Sequence, residues 1–562
     1  METKRLILAI VLCGLIFPAW IFLSREMGWT PPPAPPVNAT APVAASAPPA
    51  GGGDIAAAPA EQRSAFAPTE GRLVTVDTPL YTAMLHSQGG VLREFRLKHY
   101  KAHLAADSPQ VNMVSASAAE LAPLGLVLDG KQTWTSDTKW QLEGDNLSLG
   151  AGDTGVLRFI GEQNGVRITR ELTFSGAGYV IAENLILDAD AAKNLRVVFS
   201  FASTSLAGEV PPSIVSRVWH LVAGGEEPKP AESQHNHTRA AWFVNGGFKE
   251  DSSASDLAAG IVVPEKVSWM GVMSNYFLGA VSMPGDGASG TARTVNGVFQ
   301  VVLGKSGVAA APGAPARLEC SYFIGPKEAK TLAQAPNHIE KSLDYGWFTI
   351  IAKPLVVLLQ FLHSYVGNYG VAIILMTILI KMLFWPLSQK SYKSMEQMRK
   401  LQPLMQKIRE KHADDREATN REVMQLYKTY KVNPAGGCLP ILVQIPVFIG
   451  LYQALLNSIE LRHAPFIMHL PFTDKLWLAD LSAQDPYCIT PLVMGATMLL
   501  QQKMTPTPGD PTQAKIMMMM PLIFTVLFIN FPAGLVVYWL VNNVISIAQQ
   551  WFLMRRTKKA MA

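Results

Sequence analysis

The sequence predicts a multi-domain membrane protein: a polytopic α-helical bundle of six transmembrane helices, five of them forming the core, joined to an exported all-β domain. Three observations carry that fold class. Charged residues make up 16% of the 562 positions and hydrophobic residues 49%, where soluble proteins usually carry roughly 25% charged. Long uncharged runs cluster at the N-terminus and beyond residue 345, while 71–335 consists of short alternating runs. Charge divides the same way: residues 1–350 hold 27 Lys+Arg against 32 Asp+Glu, and 351–562 hold 21 against 11. That distribution argues against an ordinary cytosolic enzyme and gives the basic, apolar C-terminal third an affinity for anionic lipid or RNA. The length suffices for three or four average domains, so both parts fit.

Leu6–Leu23 is uncharged, follows Lys4-Arg5 and is closed by Arg25-Glu26. A cleaved signal peptide would have a shorter apolar region followed at once by a small-residue cleavage site. Val11-Leu12 also lack the small residue expected before a lipoprotein cysteine at Cys13. Residues 1–28 therefore read as an uncleaved anchor with a cytoplasmic N-terminus. Residues 31–60 hold 9 Pro and 11 Ala, too few large apolar groups to offset ordering entropy, so 29–70 reads as an extended linker.

From 71 to 335 the spacing switches to period 2. Val166–Phe174 alternates through much of its length, Tyr179–Leu187 follows a Ser-Gly-Ala-Gly turn, and similar runs stand at Leu73–Val76, Leu195–Phe201, Val298–Leu303 and Leu318–Ile324. One large β-sandwich domain is expected. Gly304-Lys305-Ser306 resembles part of a phosphate loop, but Phe299 stands where its first glycine belongs. His235 and His237 read as solvated loop histidines rather than metal ligands. The four cysteines show no C-x-x-C or zinc spacing, so neither metal nor redox chemistry is expected.

Pro354–Ile380 carries no charge except at His363 and would run roughly 40 Å as one helix, beyond the roughly 30 Å hydrocarbon core. Gly367-Asn368-Tyr369-Gly370 is the natural break. An interfacial amphipathic helix is expected at 346–363 and a span at 366–387, then a cytoplasmic hairpin at 388–437 and a span at 438–457. A periplasmic loop at 458–486, a span at 487–504 and a cytoplasmic loop at 505–515 follow. Ile516–Met554 is uncharged throughout and too long for one span. It must turn at Asn530–Gly534, giving spans at 516–530 and 534–554 before a basic cytoplasmic tail, 555–562. The 387–437 connection has 11 Lys+Arg and the 459–485 connection 2. The positive-inside rule then puts the hairpin, both termini and Lys4-Arg5 in the cytoplasm and exports the β domain.

Lys381 is the most informative residue, because Val371–Ile380 alone is too short to cross and the lysine must lie at membrane depth. It either snorkels to the cytoplasmic headgroups or lines a hydrated cavity with Thr377, one turn earlier on the same face. Gln444, Gln453, Thr497, Thr525, Asn542, Asn543 and Ser546 lie in spans too, as helix-to-helix bonds or as part of a wet interior. No acidic residue sits in a confident span, and nothing supports catalysis. In 388–432, Met395, Met398, Leu401, Met405 and Ile408, then Val423, Met424, Tyr427 and Tyr430, have helical spacing, with a break at Asp414-Asp415. Its basic outer faces, including Arg399, Lys400, Lys407 and Arg409, are either solvated or a docking surface for an RNA-rich or protein partner. Of 23 methionines, 16 follow residue 346, either as core filler or as an adaptable apolar surface.

Asn433-Pro434-Ala435-Gly436-Gly437-Cys438-Leu439-Pro440, Gln444-Ile445-Pro446-Val447-Phe448 and Phe531-Pro532-Ala533-Gly534-Leu535 together resemble the signature of the YidC membrane protein insertases. So does the order of anchor, Pro-rich linker, exported domain and five further spans, as in the Gram-negative form. The resemblance implies a groove open to cytoplasm and lipid, with Lys381 at the place where the family usually has arginine. Thr377, Gln444, Tyr538 and Trp539 map to other groove positions. It also implies that the hairpin meets substrate and a targeting-factor receptor, and that Arg555, Arg556, Lys558 and Lys559 meet the ribosome. The exported part resembles a galactose-mutarotase-like, periplasmic all-β supersandwich without a catalytic role. The expected function is insertion of nascent membrane proteins into the bacterial inner membrane, alone or beside the Sec translocon, without ATP, cofactor or DNA, and with anionic lipid as surroundings. Two other classes remain open: a membrane-anchored periplasmic glycan-binding protein and a small-solute transporter, although the internal repeats of the latter are not found.

Overall fold

The computed structural model of the protein describes residues 65–66, 71–105, 107–207, 209–210, 231–232, 235–285, 287–412, 415–430, 432, 439–505 and 511–561. The expected anchor 1–28, all but two residues of the linker and the 433–438 motif lie outside them. A large compact unit is formed from 57–506 and 520–562, and the start of the helix Pro511–Phe528 lies outside it.

The alternating runs fold as strands. Along Val166–Ser175 the odd-face residues turn outward, and Val166, Ile168, Arg170, Leu172 and Phe174 turn inward, as a period of 2 requires. The strand sits in a nine-stranded antiparallel sheet in the order Gly247–Asp251, Arg239–Val244, Val267–Met273, Phe277–Ser282, Ala316–Pro326, Val180–Ala189, Val166–Ser175, Thr154–Gln163, Lys139–Glu143. A six-stranded sheet is centred on Val298–Ala310 and Lys193–Ser203, and a five-stranded sheet on Val91–Lys101 and Tyr81–His86. The expected sandwich domain is therefore built mainly from these three sheets, and one continuous apolar core joins them. Where the six- and nine-stranded sheets meet, the Phe201 ring fills the space a side chain at Gly279 would need. Gly304-Lys305-Ser306 lies inside the strand Val298–Ala310.

One inward position breaks the apolar pattern. Arg170 is fully buried and forms a two-point ion pair with Glu183, at 2.6 Å from Nε to Oε1 and 2.9 Å from Nη2 to Oε2. Nη1 donates to the Gly89 carbonyl and Nη2 to the Leu124 carbonyl at 2.7 Å, while the Tyr322 hydroxyl donates to Glu183 Oε2 at 3.1 Å. The cluster thus ties the nine-stranded sheet to turns of both other sheets. Burial pushes the adjoining Cys320 thiol well up, which keeps it inert; Cys320 and Cys488 are both free.

Beyond residue 348 the chain is mainly helical: α1 (Thr349–Val366), α2 (Tyr369–Leu383), α3 (Trp385–Lys411), α4 (Arg416–Thr429), α5 (Leu439–Asn457), α6 (Ile489–Met504), α7 (Pro511–Phe528) and α8 (Ala533–Met561). The expected break is a pair of caps. Gly367, left-handed at φ 65°, ends α1, and the Asn368 side chain accepts the Val371 N–H at 3.0 Å to start α2. Several boundaries differ from expectation. α2 stops at Leu383, because Trp385-Pro386 opens a new helix, with proline in a first-turn position that costs no hydrogen bond, at 64° to the old one. α7 likewise starts early, at Pro511. α8 runs on through the expected tail to Met561, where basic residues suit a helix C-terminus.

Among the described residues one stretch, Gly346–Val366, is by itself long and apolar enough to cross a bilayer. It is the segment expected to lie in the interface. α2 with α3 qualifies only as one bent span. Three of the others fall short for physical reasons. α2 and α6 have 15 and 16 residues, about 23 Å of helix against a core of about 30 Å, and α8 carries Asn542, Asn543, Gln549 and Gln550.

The two parts of the compact unit touch. Asn275 Nδ2 donates to the Leu456 carbonyl at 3.3 Å, and Arg462 Nη2 donates to the Ala102 carbonyl at 3.0 Å with its guanidinium over the Phe277 ring. His235, expected to be solvated, packs its ring edgewise on Phe531 at 4.7 Å. Ile459 joins the β-domain core outright.

Removing one member of a buried ion pair leaves the other charge uncompensated. Arg170→Ala is expected to cost about 3–5 kcal/mol, whereas Arg170→Met with Glu183→Leu should recover much of it; thermal unfolding of the three proteins in detergent checks the order. A second expectation concerns Lys327, whose ammonium is buried and donates to the Ser274 carbonyl at 3.3 Å. Burial holds its pKa down at about 7, from an ordinary 10.5. Across that window the unfolded chain carries a proton that the folded chain has lost. Folded stability should therefore rise with pH between these values, and Lys327→Met should flatten that part of the profile. Unfolding midpoints measured below and within the window test it.

Candidate functional site: the polar interior of the helical bundle

The helices are arranged with apolar residues outside and polar residues within. On the outer surfaces Leu379, Met382, Leu492, Leu500, Leu522, Ile523, Val526 and Val544 are all at least 40% exposed. In the interior, Thr377, Lys381, Thr525, Asn543, Ser546, Gln549 and Gln550 are all at most 8% exposed. A protein folded in water has the reverse pattern, and lipid as solvent accounts for it.

Lys381 and Thr377 lie one turn apart on α2. Lys381 Nζ donates to Ser546 Oγ at 2.8 Å, and Ser546 Oγ donates to the Asn542 carbonyl at 2.7 Å. Thr377 Oγ1 is spent on its own helix, donating to the Ile373 carbonyl at 2.7 Å. From α5, Gln444 Nε2 donates to Asn542 Oδ1 at 2.6 Å and to the Tyr538 hydroxyl at 3.2 Å. Lys381, Gln444 and Tyr538 therefore converge on one face of α8, and Thr377 stands beside them. Trp539, next to Tyr538, is packed by Phe448, Phe524 and Phe528, and Phe448 also stacks on Tyr538; the buried Trp539 Nε1–H has no hydrogen-bond partner among the described residues.

The described interior also holds bonds that the sequence reading did not assign to a site. Asn543 Nδ2 donates to Thr497 Oγ1 at 3.4 Å and Gln550 Nε2 donates to the Met504 carbonyl at 2.9 Å, both tying α8 to α6. Gln549 and Gln550 were missed. Their signal was present in the three- and four-residue steps from Tyr538 through Asn542 and Ser546 to Gln549 and Gln550. α6 also passes close to α7, where Thr525 fills the space a side chain at Gly495 would need.

In the hairpin, Asp415 caps α4 by accepting the Glu417 and Ala418 N–H groups, both at 3.0 Å. Met398, Leu401, Met405, Val423 and Tyr427 form its small apolar seam, whereas Met424 and Tyr430 are more than half exposed and lie off it. Arg399, Lys400 and Lys407 are exposed and Arg409 half-buried; Arg399 pairs with Glu396 at 2.8 Å. Arg555 stacks on the Trp551 ring at 3.7 Å, and the side chains of Arg556, Lys558 and Lys559 lie outside the described set. Among the described residues no carboxylate comes within ion-pair distance of Lys381.

An apolar-outside helical bundle with a cationic interior, carrying a large β domain at one end, defines a class of integral membrane protein. Two family models cover nearly all of that architecture: the 60Kd inner membrane protein family over residues 361–560 and the YidC periplasmic domain over 73–358. The chain is 55% identical to the membrane protein insertase YidC of Oleidesulfovibrio alaskensis, over 99% of this chain and 100% of the relative. It is 53% identical to that of Nitratidesulfovibrio vulgaris with the same coverage. A crystal structure of an active YidC insertase with its first transmembrane domain resolved is similar at 16% identity and a TM-score of 0.36, covering 86% of this chain and 93% of that one. The chain belongs to the YidC membrane protein insertases: it is an inner membrane protein with a periplasmic domain, an insertase rather than an enzyme.

Proposed function

We propose that the chain inserts nascent membrane proteins by admitting a short hydrophilic segment to the interior lined by Lys381, Thr377, Gln444, Tyr538 and Trp539. The observation that carries this reading is a cation held by a neutral hydroxyl inside helices with apolar outer surfaces. A polar segment crossing bare lipid leaves its backbone groups without partners, and a lined, hydrated path lowers that penalty. The adjoining apolar segment then slides into the bilayer past the methionine-rich helices, and its burial in lipid drives the step without ATP.

The same reading has six spans, at 1–28, 366–387, 438–457, 487–504, 516–530 and 534–554, with both termini cytoplasmic. The 346–363 segment lies in the periplasmic interface, and α2 crosses with the first turn of α3. The hairpin residues Arg399, Lys400, Lys407 and Arg409 face a targeting-factor receptor and anionic headgroups. Arg555, Arg556, Lys558 and Lys559 face the ribosome, and the Sec translocon is a partner for larger substrates.

Photocrosslinkers at Thr377, Lys381 and Tyr538, probed with stalled ribosome–nascent chains of a small membrane protein, test the path. Adducts from these positions, and none from outward-facing β-domain positions, are expected; silence from all three with folded protein and substrate present rules the path out. The charge has its own test. Lys381→Glu should impair substrates with acidic translocated tails more than those with neutral tails, and Lys381→Arg should preserve both. Equal impairment of the two substrate classes removes the attraction.

A further inference from the structure

The loop between α5 and α6 carries a feature that the insertion path does not use. Ile467–His469 and Leu476–Leu478 pair as an antiparallel two-stranded hairpin, with Ile467 opposite Leu478 and His469 opposite Leu476. Its root is fixed: the Phe466 N–H donates to the Leu478 carbonyl at 2.8 Å, Asn368 Nδ2 donates to the Phe466 carbonyl at 3.2 Å, and Trp477 Nε1 donates to Asp485 at 3.0 Å. Its far end is bare. Phe472 at the tip is fully exposed, and Met468 and Leu476 are 48% and 41% exposed. An isolated two-stranded hairpin is marginal in water, and apolar side chains gathered on one this small add to that cost unless something covers them.

The surroundings identify the cover. The hairpin follows directly on Arg462, which bonds to Ala102 of the β domain, so it lies on the periplasmic side. It hangs from the α1–α2 corner through Asn368. It leads into α6, whose first turns expose Leu492 and Val493. A loop between consecutive helices of a membrane bundle stays at the bilayer surface, and its apolar tip continues the apolar outer surface of those helices. Asp474 and Lys475 cancel in charge, so the tip offers nothing to a charged partner, while the apolar Leu470-Pro471-Phe472 run beside Thr473-Asp474-Lys475 can bury its apolar part in lipid and leave its polar part in water.

We infer that the 466–478 hairpin is a membrane-dipping wedge, with Phe472, Met468 and Leu476 set among the lipids of the periplasmic leaflet. The inference requires the membrane placement of the bundle but not the insertion path.

The test uses the full chain in vesicles of phosphatidylethanolamine and phosphatidylglycerol, with p-benzoylphenylalanine replacing Phe472, replacing Met468 in a second protein, and replacing the exposed β-domain residue Val262 in a third. Phe472 is unburied, so its replacement removes no packing. After irradiation, a mass increase of one phospholipid at 472 and 468, absent at 262, is expected. Absence of lipid adducts at 472 and 468 overturns the wedge. Equal lipid adducts at 262, or capture of a second copy of the chain instead of lipid, also overturns it.

Discussion

The interior polar groups of four helices find their partner on a fifth. Lys381 of α2, Tyr392 of α3, Gln444 of α5, and Thr497 with the Met504 carbonyl of α6 all bond to α8, through Ser546, Asn542, Tyr538, Asn543 and Gln550. In lipid the hydrophobic effect gives helices no reason to associate, because the tails are as apolar as leucine. Close packing and interhelical hydrogen bonds take its place. The polar ladder on α8, repeating at three- and four-residue steps, therefore sets which helices touch and at what height. It also explains why α8 fails a simple test of apolarity: the amides that lower its hydropathy are the groups that hold the bundle.

The other end of the bundle obeys water's rules. Ile459 is buried in the β-domain core, Asn275 and Arg462 exchange bonds across the junction, and His235 packs on Phe531 beside the turn into α8. That turn is itself pinned, with the Ala533 and Gly534 N–H groups donating to the carbonyls of Ala483 and Leu481 at 2.7 and 2.9 Å. The helix that organises the interior thus starts from the loop on which the β domain rests. Movement of the β domain against that loop would be felt first at the α8 N-terminus, five residues before Tyr538.

Local periodicity made the β domain legible. Each alternating run became a strand, because hydrophobic alternation fixes which face is buried. Arg170 shows where that reading stops. Nothing local distinguishes an arginine on the inward face from an interruption of the pattern, and its partners Glu183, Gly89 and Leu124 come from distant segments. Helix breaks were legible where a residue type dictates them, as at Gly367-Asn368 and Asp415. The boundary at Trp385-Pro386 was legible from the proline, but the sharp bend there and the end of α2 at Leu383 were not, because hydropathy runs smoothly through Phe384. In the site, Lys381 stood out because a charge in an apolar run is costly. Ser546 was noted only as one of several polar residues, since its role depends on which helix lies opposite.

The identity of that opposite residue matters more than its modest size suggests. A lysine at the centre of a membrane helix costs about 2.5–3.5 kcal/mol on insertion scales, and a carboxylate on α8 would have repaid part of it. Such a pair would also have neutralised the site, because opposite charges in a low-dielectric interior bind each other before any passing group. A serine hydroxyl accepts from the ammonium at 2.8 Å and brings no opposite charge. The bundle retains an electrostatic cost that a better-stabilised interior would have removed. What it keeps in return is a cation whose interior partner is neutral, in a bond that also ties α2 to α8.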